Sequence, residues 1–184
     1  MRRLSTGVMA KEELTVSIYD TVEAIGQLKL EWRELHERSC RATIFNSFDL
    51  LYLAVQEFIE PGETLLFIAV RHPGDGRLLA VFPFKLCPFQ WRRLHYRLIT
   101  FAGLEVTDKF YPVIEIGAEP QSWHAAFSYI KSIPKAWHFI DLFEVENGLY
   151  APIAVKRAFP PGRYIRKQSP DVQSPILDLV CDWQ

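Results

Sequence analysis

Cysteine is scarce in this 184-residue chain: three residues, Cys40, Cys87 and Cys181. The number is odd, the positions lie far apart and no CxxC spacing occurs, which argues against a disulfide framework or a zinc site. Three reduced thiols in a cytoplasmic protein are expected. No run of 18 apolar residues occurs, so no spanning helix is expected. The opening "MRRLSTGVMAKEE" has arginines but lacks the apolar segment of a secretory signal, and residues 1–14 read as a flexible tail. An excess of one charge is missing too. Lys and Arg number 21, Asp and Glu 22, for a net charge of −1. That balance gives no overall pull towards nucleic acid or an anionic surface. His72, His95, His124 and His138 lack ligand spacing such as HxxxH, and no metal site is expected.

Apolar residues are abundant, at 49% of the chain, and aromatics make up 14%. A chain of this length buries roughly 70% of its unfolded surface. "TVSIY" alternates and predicts a strand. Asp20, with Glu23 three residues on, predicts a capped helix whose apolar stripe is Val22, Ile25, Leu28, Trp32 and Leu35. Trp32 is a core anchor in this reading. Ser47 caps a second helix that buries Leu50, Leu51, Ala54, Val55 and Phe58, and Pro61–Gly62 stops it.

Strands follow. "LLFIAVR" and "RLLAVFPFKL" flank the turn "HPGDG" and predict a hairpin, with Pro83 at a bulge or facing an edge. "RLITF" and "FYPVIEI" continue the sheet. Helical period returns after Pro120, at Trp123, Ala126, Phe127, Ile130 and Ile133. "WHFIDLFEV" reads as a strand, "YAPIAVKRAF" as a short helix, "RYIRKQ" and "PILDLV" as two last strands. The expected class is mixed α/β, a largely antiparallel sheet flanked by helices.

This order is the layout of the GNAT (acyl-CoA N-acyltransferase) fold. Several stretches, in order, resemble the N-terminal half of CelD/BcsL-type acetyltransferases, the group associated with cellulose biosynthesis. They are "LEWRELHERSCRATIFNSFDLLYLAV", "LLFIAVRHPGDGRLLAVFPFKL", "LITFAGLEVTDKFYPVIEI" and "WHFIDLFEVENG". The resemblance implies a GNAT-like domain over residues 15–184, the first half of a tandem protein. Its ending "SPILDLVCDWQ" looks like the lead into a second GNAT-like domain. The plainer reading is a single domain whose last strand closes the sheet.

The resemblance also implies where an acyl-CoA diphosphate would sit, at the start of a helix after the fourth strand. Here that junction reads "IEIGAEPQSW". Gly117 and Ala118 are in place, but the basic residue and second glycine of the family are absent. Glu119 repels phosphate and Pro120 removes a donor. This half is therefore expected to bind no cofactor alone, with acetyl-CoA or another acyl-CoA as the ligand if it is active. Asp108, Lys109 and Tyr111 form a loop that could contact substrate or a partner domain; an aspartate capping a turn is the plainer reading. Glu144 and Glu146 could serve as a base or simply end a strand. No catalytic residue is assigned.

"QWRRLHYRLI" mixes Arg92, Arg93, His95 and Arg97 with Trp91 and Tyr96. A polyanion surface is one reading; a solvated loop between strands is the expected one. "RYIRKQ" faces water or a partner domain. Three functions follow: a degenerate half supporting a catalytic half, a self-sufficient acyl-CoA-dependent N-acyltransferase, or a non-enzymatic interaction domain in envelope polysaccharide synthesis. Expected partners are a second GNAT-like domain or another copy through the C-terminal strands, with no nucleic acid and no membrane span.

Overall fold

Two central strands carry the continuous apolar runs, and that placement organises the rest. In the computed structural model, which describes residues 14–39, 41–106, 111–142 and 150–167, β2 (Thr64–Arg71) and β3 (Leu78–Trp91) pair antiparallel from Thr64↔Leu86 to Arg71↔Leu78. β1 (Thr15–Tyr19) flanks β2. β4 (Leu94–Phe101) flanks β3. β6 (Phe139–Ile140) adds a short parallel pair to β4. Leu65–Val70 and Leu78–Lys85 are buried without a break. Helices cover both faces, so alternation is lost there.

Phe67 and Ile68 point to opposite faces, as neighbours in a strand must. On the Phe67 face Trp32 packs at 6.0 Å, with Phe48 against it at 5.8 Å. On the Ile68–Phe82 face Trp123 packs edge-on to Phe82 at 4.8 Å. The first face thus takes α1 (Val22–Gly26), α2 (Lys29–Glu37) and α3 (Phe48–Glu57), and the second takes α4 (Glu119–Ser132) with α5 (Tyr150–Ala158) beside it. The architecture is the mixed α/β one expected, with a largely antiparallel sheet flanked by helices.

One strand is broken. β4 and β5 (Val113–Ile114) lie end to end on the same side of β3, with Phe101 opposite Phe84 and Val113 opposite Val81. Pro83 sits at the gap. Its carbonyl accepts from Ala102 N–H at 2.7 Å. In a strand one residue's N–H and C=O point to the same side, so the donor that proline lacks is missing on the side of the break. The bulge or edge expected for Pro83 is therefore corrected: it lies mid-strand, facing the interruption, and the irregular register falls at Val70/Arg71 instead.

Other expectations shift in detail. Thr21, not Asp20, caps α1; its Oγ1 accepts from Ala24 N–H at 3.1 Å. The first helix stops after Gly26 and resumes at Lys29, yet Ile25, Leu28, Trp32 and Leu35 remain one buried stripe. Ser47 caps α3 as predicted, but Phe58, beyond its last turn, is 45% exposed. Leu14, assigned to the tail, packs partly buried against the core. The described residues of "RYIRKQ" form no strand: Tyr164 makes an isolated bridge to Pro161, before the stretch, and Ile165 is fully exposed. "PILDLV", Cys40, Cys181, Asp108, Lys109, Glu144 and Glu146 lie outside the described residues.

Candidate functional site

The junction between β5 and α4 holds two of the residues singled out from sequence, Gly117 and Ala118. Glu115 N–H extends the ladder to Leu79 C=O at 2.9 Å, and Ile116 N–H donates to Arg38 C=O at 3.2 Å. The chain then turns at Gly117 with φ 82°. A Cβ there would meet no atom within 4 Å, so backbone conformation rather than space calls for glycine. Ala118 is the N-cap of α4 and has no side chain to satisfy the first turn.

The Glu115 carboxylate ties this corner together. It accepts from Arg38 Nε at 3.1 Å and from Arg77. Arg38 also donates to Leu78 C=O at 3.2 Å. The end of α2, the start of β3 and the end of β5 are thus fastened to one carboxylate.

Tested against a diphosphate, the start of α4 does not fit. Helix N-termini bind anions through free N–H groups and a favourable dipole. Pro120 offers no N–H, and Ala118 N–H is already given to Glu115 C=O at 3.0 Å. Glu119 places a carboxylate in the first turn, where a phosphate would have to approach. Arg38 and Arg77 are engaged by Glu115.

Beside the junction Tyr111 is buried. Its carbonyl accepts from Asn46 Nδ2 at 3.3 Å. Asn46 is itself a buried latch: Nδ2 donates to Arg41 C=O at 2.9 Å, Oδ1 accepts from Thr43 N–H at 2.9 Å, and its carbonyl accepts from Trp32 Nε1 at 3.2 Å. The Tyr111 ring lies 6.3 Å from Trp123, and the Arg41 guanidinium sits 5.8 Å over it. Burial pushes the Tyr111 phenol up to about 12; the Trp123 indole pulls the other way, and the charge of Glu119 adds to the rise. The phenol therefore stays protonated at neutral pH and keeps its O–H. Among the described residues, Tyr111 Oη, Ser122 Oγ and Trp123 Nε1 are buried polar atoms without a hydrogen-bond partner. Ser122 and Trp123 are fully buried, and none of the three groups is a base.

Sequence reasoning missed a second cluster, four residues further along β3. Lys85 Nζ meets Glu63 Oε1 at 3.0 Å and Glu105 Oε1 at 2.9 Å, and Cys87 Sγ donates to Glu63 Oε1 at 3.0 Å. The Lys85 and Glu63 side chains are 6% and 7% exposed. Burial acts to lower the lysine, but the two carboxylates outweigh it and hold it above its ordinary value. Burial acts to raise Glu63, and the Cys87 thiol, the Glu60 N–H and Lys85 together hold it below. Burial pushes Cys87 up to about 12, with Glu63 adding to it. The cluster is an ion pair closed on itself, with neither a nucleophile nor a neutral base. A lysine inside an apolar strand was its signal in the sequence.

The histidines do not converge. His72 Nδ1 lies 3.1 Å from Asp75 within the turn, and His138 Nδ1 accepts from Arg97 N–H at 3.0 Å. His95 and His124 are exposed. Among the described residues no group of three or more His, Cys, Asp or Glu could hold a metal ion. Nor is any described helix long and apolar enough to cross a membrane.

No family model and no curated protein matches the chain. Solved structures resemble it in outline. A possible acetyltransferase from Clostridium difficile 630 is 10% identical with a TM-score of 0.49, over 90% of this chain and 99% of that one. An aminoglycoside acetyltransferase from an uncultured soil metagenomic sample, solved with sisomicin, is 7% identical with a TM-score of 0.49, over 89% and 97%. A GNAT family acetyltransferase from Staphylococcus aureus is 10% identical with a TM-score of 0.40, over 89% and 99%. Likenesses of this size assign the chain neither a family nor an activity.

Proposed function

We propose that this chain is a GNAT-like acyltransferase domain of CelD/BcsL type that has lost its diphosphate cradle and supports a catalytic partner domain. One observation carries the reading. The strand-to-helix turn at Gly117–Ala118 keeps its glycine geometry while Glu119 and Pro120 occupy the first turn of α4. The turn survives and the anion chemistry does not. In this reading the chain packs against a second GNAT-like domain or another copy through its C-terminal segment, and Tyr111 and Asp108 belong to the shared cleft.

A second reading, a self-sufficient acyl-CoA-dependent N-acyltransferase, draws on the buried O–H of Tyr111 and N–H of Trp123 that lack partners. Those groups could orient an acyl carbonyl or an amide. A non-enzymatic role in envelope polysaccharide synthesis requires neither. Calorimetric titration with acetyl-CoA separates the first two. The isolated chain should show no micromolar binding; a micromolar dissociation constant, about −8 kcal/mol, would overturn the degenerate-cradle reading and favour the second.

A further inference from the structure

"QWRRLHYRLI" is not the solvated loop that its charge suggests. It is the tip of the β3–β4 hairpin. β2 stops pairing at Leu86, and beyond it the pairs Pro88↔Arg97, Phe89↔Tyr96, Gln90↔His95 and Trp91↔Leu94 form a two-stranded ribbon. Four residues per strand carry it roughly 13 Å past the sheet. Arg92, with φ 56°, and Arg93 make the two-residue turn at its end.

The period of two sorts this ribbon. Phe89, Trp91, Leu94 and Tyr96 share one face, joined by Phe139 of β6, whose ring meets Phe89 at 6.5 Å and Tyr96 at 5.2 Å. Trp91 is 56% exposed and Leu94 59%. An isolated ribbon is marginal in water, and uncovered aromatics add to the cost. The charges are sorted as well. From Cys87 to Leu98 the chain has three arginines and a histidine but no acid. Arg92, Arg93 and Arg97 are exposed and form no ion pair among the described residues. The acids nearby lie at the ribbon's base, away from the tip: Glu63, which accepts from Cys87 Sγ and is paired with Lys85, and Asp141, which follows β6. Arg92 and Arg93 thus sit at the turn beside Trp91 and Leu94, and Arg97, opposite Pro88, lies on the ribbon's other face, so the tip carries uncompensated positive charge next to a bare apolar face.

We propose that this hairpin is a docking site for an anionic lipid surface. Tryptophan and tyrosine prefer the headgroup boundary, phenylalanine and leucine the acyl region beneath it, and arginines pair with the phosphates. The ribbon's reach exceeds the roughly 5–10 Å to which surface-bound amphipathic elements sink. Nucleic acid is disfavoured by the rings themselves. Phe89, Tyr96 and Phe139 are turned tilted or edge-on into one another, and Arg92 lies over Trp91 at 5.1 Å, so no open ladder of ring faces is offered to bases.

Flotation of the purified chain with phosphatidylcholine vesicles, with and without phosphatidylserine, tests this. Binding should require phosphatidylserine and fall with salt. Each of Arg92→Gln, Arg93→Gln and Arg97→Gln should weaken it about fivefold, and the triple variant about a hundredfold. Brominated acyl chains should quench the tryptophan fluorescence of the wild type but not of Trp91→Phe, and far-ultraviolet dichroism checks that each variant is folded. No binding at low salt, equal binding to phosphatidylcholine alone, or quenching that survives in Trp91→Phe would overturn the proposal. So would a dimer in solution that Trp91→Glu dissociates, which would give this face to a second copy of the chain.

Discussion

Lys85 shows how far a residue's environment can depart from its sequence neighbourhood. It sits among "VFPFKL", on a strand buried on both faces, and survives there because Glu63 and Glu105 meet it. The pH consequences follow from the two directions. Glu63 is held below its ordinary value, so its contribution is complete above about pH 4.3 and is lost as pH falls through the lowered value. Lys85 is held above its ordinary value, so its contribution is complete below about pH 10.4 and is lost as pH rises through the raised value. Lys85→Met should cost about 3 kcal/mol at neutral pH, because Glu63 is left buried and uncompensated. In that variant the Cys87 thiol and the Glu60 N–H still oppose burial at Glu63 but the cation is gone, so the carboxylate is held less far down and less stability is left to lose as pH falls. Urea unfolding of both proteins at neutral pH and at about pH 3.5 checks it. The deficit should shrink in acid, and an equal deficit at both would mean that lost packing, not charge, set the cost.

Elements were legible where one local signal ruled them and opaque where a long-range pairing did. β1, α3, β2 and α4 stand within a residue or two of their pattern, because a cap, a turn or an apolar period acts within a few residues. Of the six described residues of "FYPVIEI", β5 keeps two, since the partner strand β3 offers no donor at Pro83. Nothing within "FYPVIEI" records that. β3 overran its expected end by five residues, to Trp91, because Gln90, Arg92 and Arg93 look like loop chemistry while the alternation of Phe89, Trp91, Leu94 and Tyr96 continues through them. At the candidate site, the turn at Gly117 was legible from its glycine; the Asn46 latch and the contact of Tyr111 with Trp123 join residues remote in sequence and were not. The start of α4 yields a paired prediction. Glu119 in the first turn favours the helix and opposes a bound phosphate. Glu119→Gln should therefore lose about 0.3–1 kcal/mol of stability while any affinity for acetyl-CoA rises. Thermal unfolding with calorimetry on the same protein reads both, and a variant that gains neither affinity nor loses stability would show that Glu119 does not govern this helix end.

At the scale of the molecule, stability should be graded along the two central strands. Leu65–Val70 and Leu78–Lys85 lie between helices on both faces and exchange hydrogen bonds with each other throughout. Opening them requires the whole core to part, so their amides should exchange at the rate of global unfolding. The hairpin tip has the opposite character. Its rungs from Phe89↔Tyr96 to Trp91↔Leu94 pair with no third strand, most of their side chains are exposed, and opening them disturbs no helix. Residues 88–97 should exchange orders of magnitude faster than 65–70, although both belong to one sheet and β3 runs through both ladders. β6, two residues long on the parallel edge, should fall nearer the tip. Hydrogen exchange read by mass spectrometry over a concentration series resolves these segments. A tip protected as well as the core at every dilution would mean that its rungs are held by the fold itself, and the contrast between core and ribbon would be wrong. Protection that appears only at high protein concentration would mean that a second copy covers the aromatic face, the one occupant that needs no lipid.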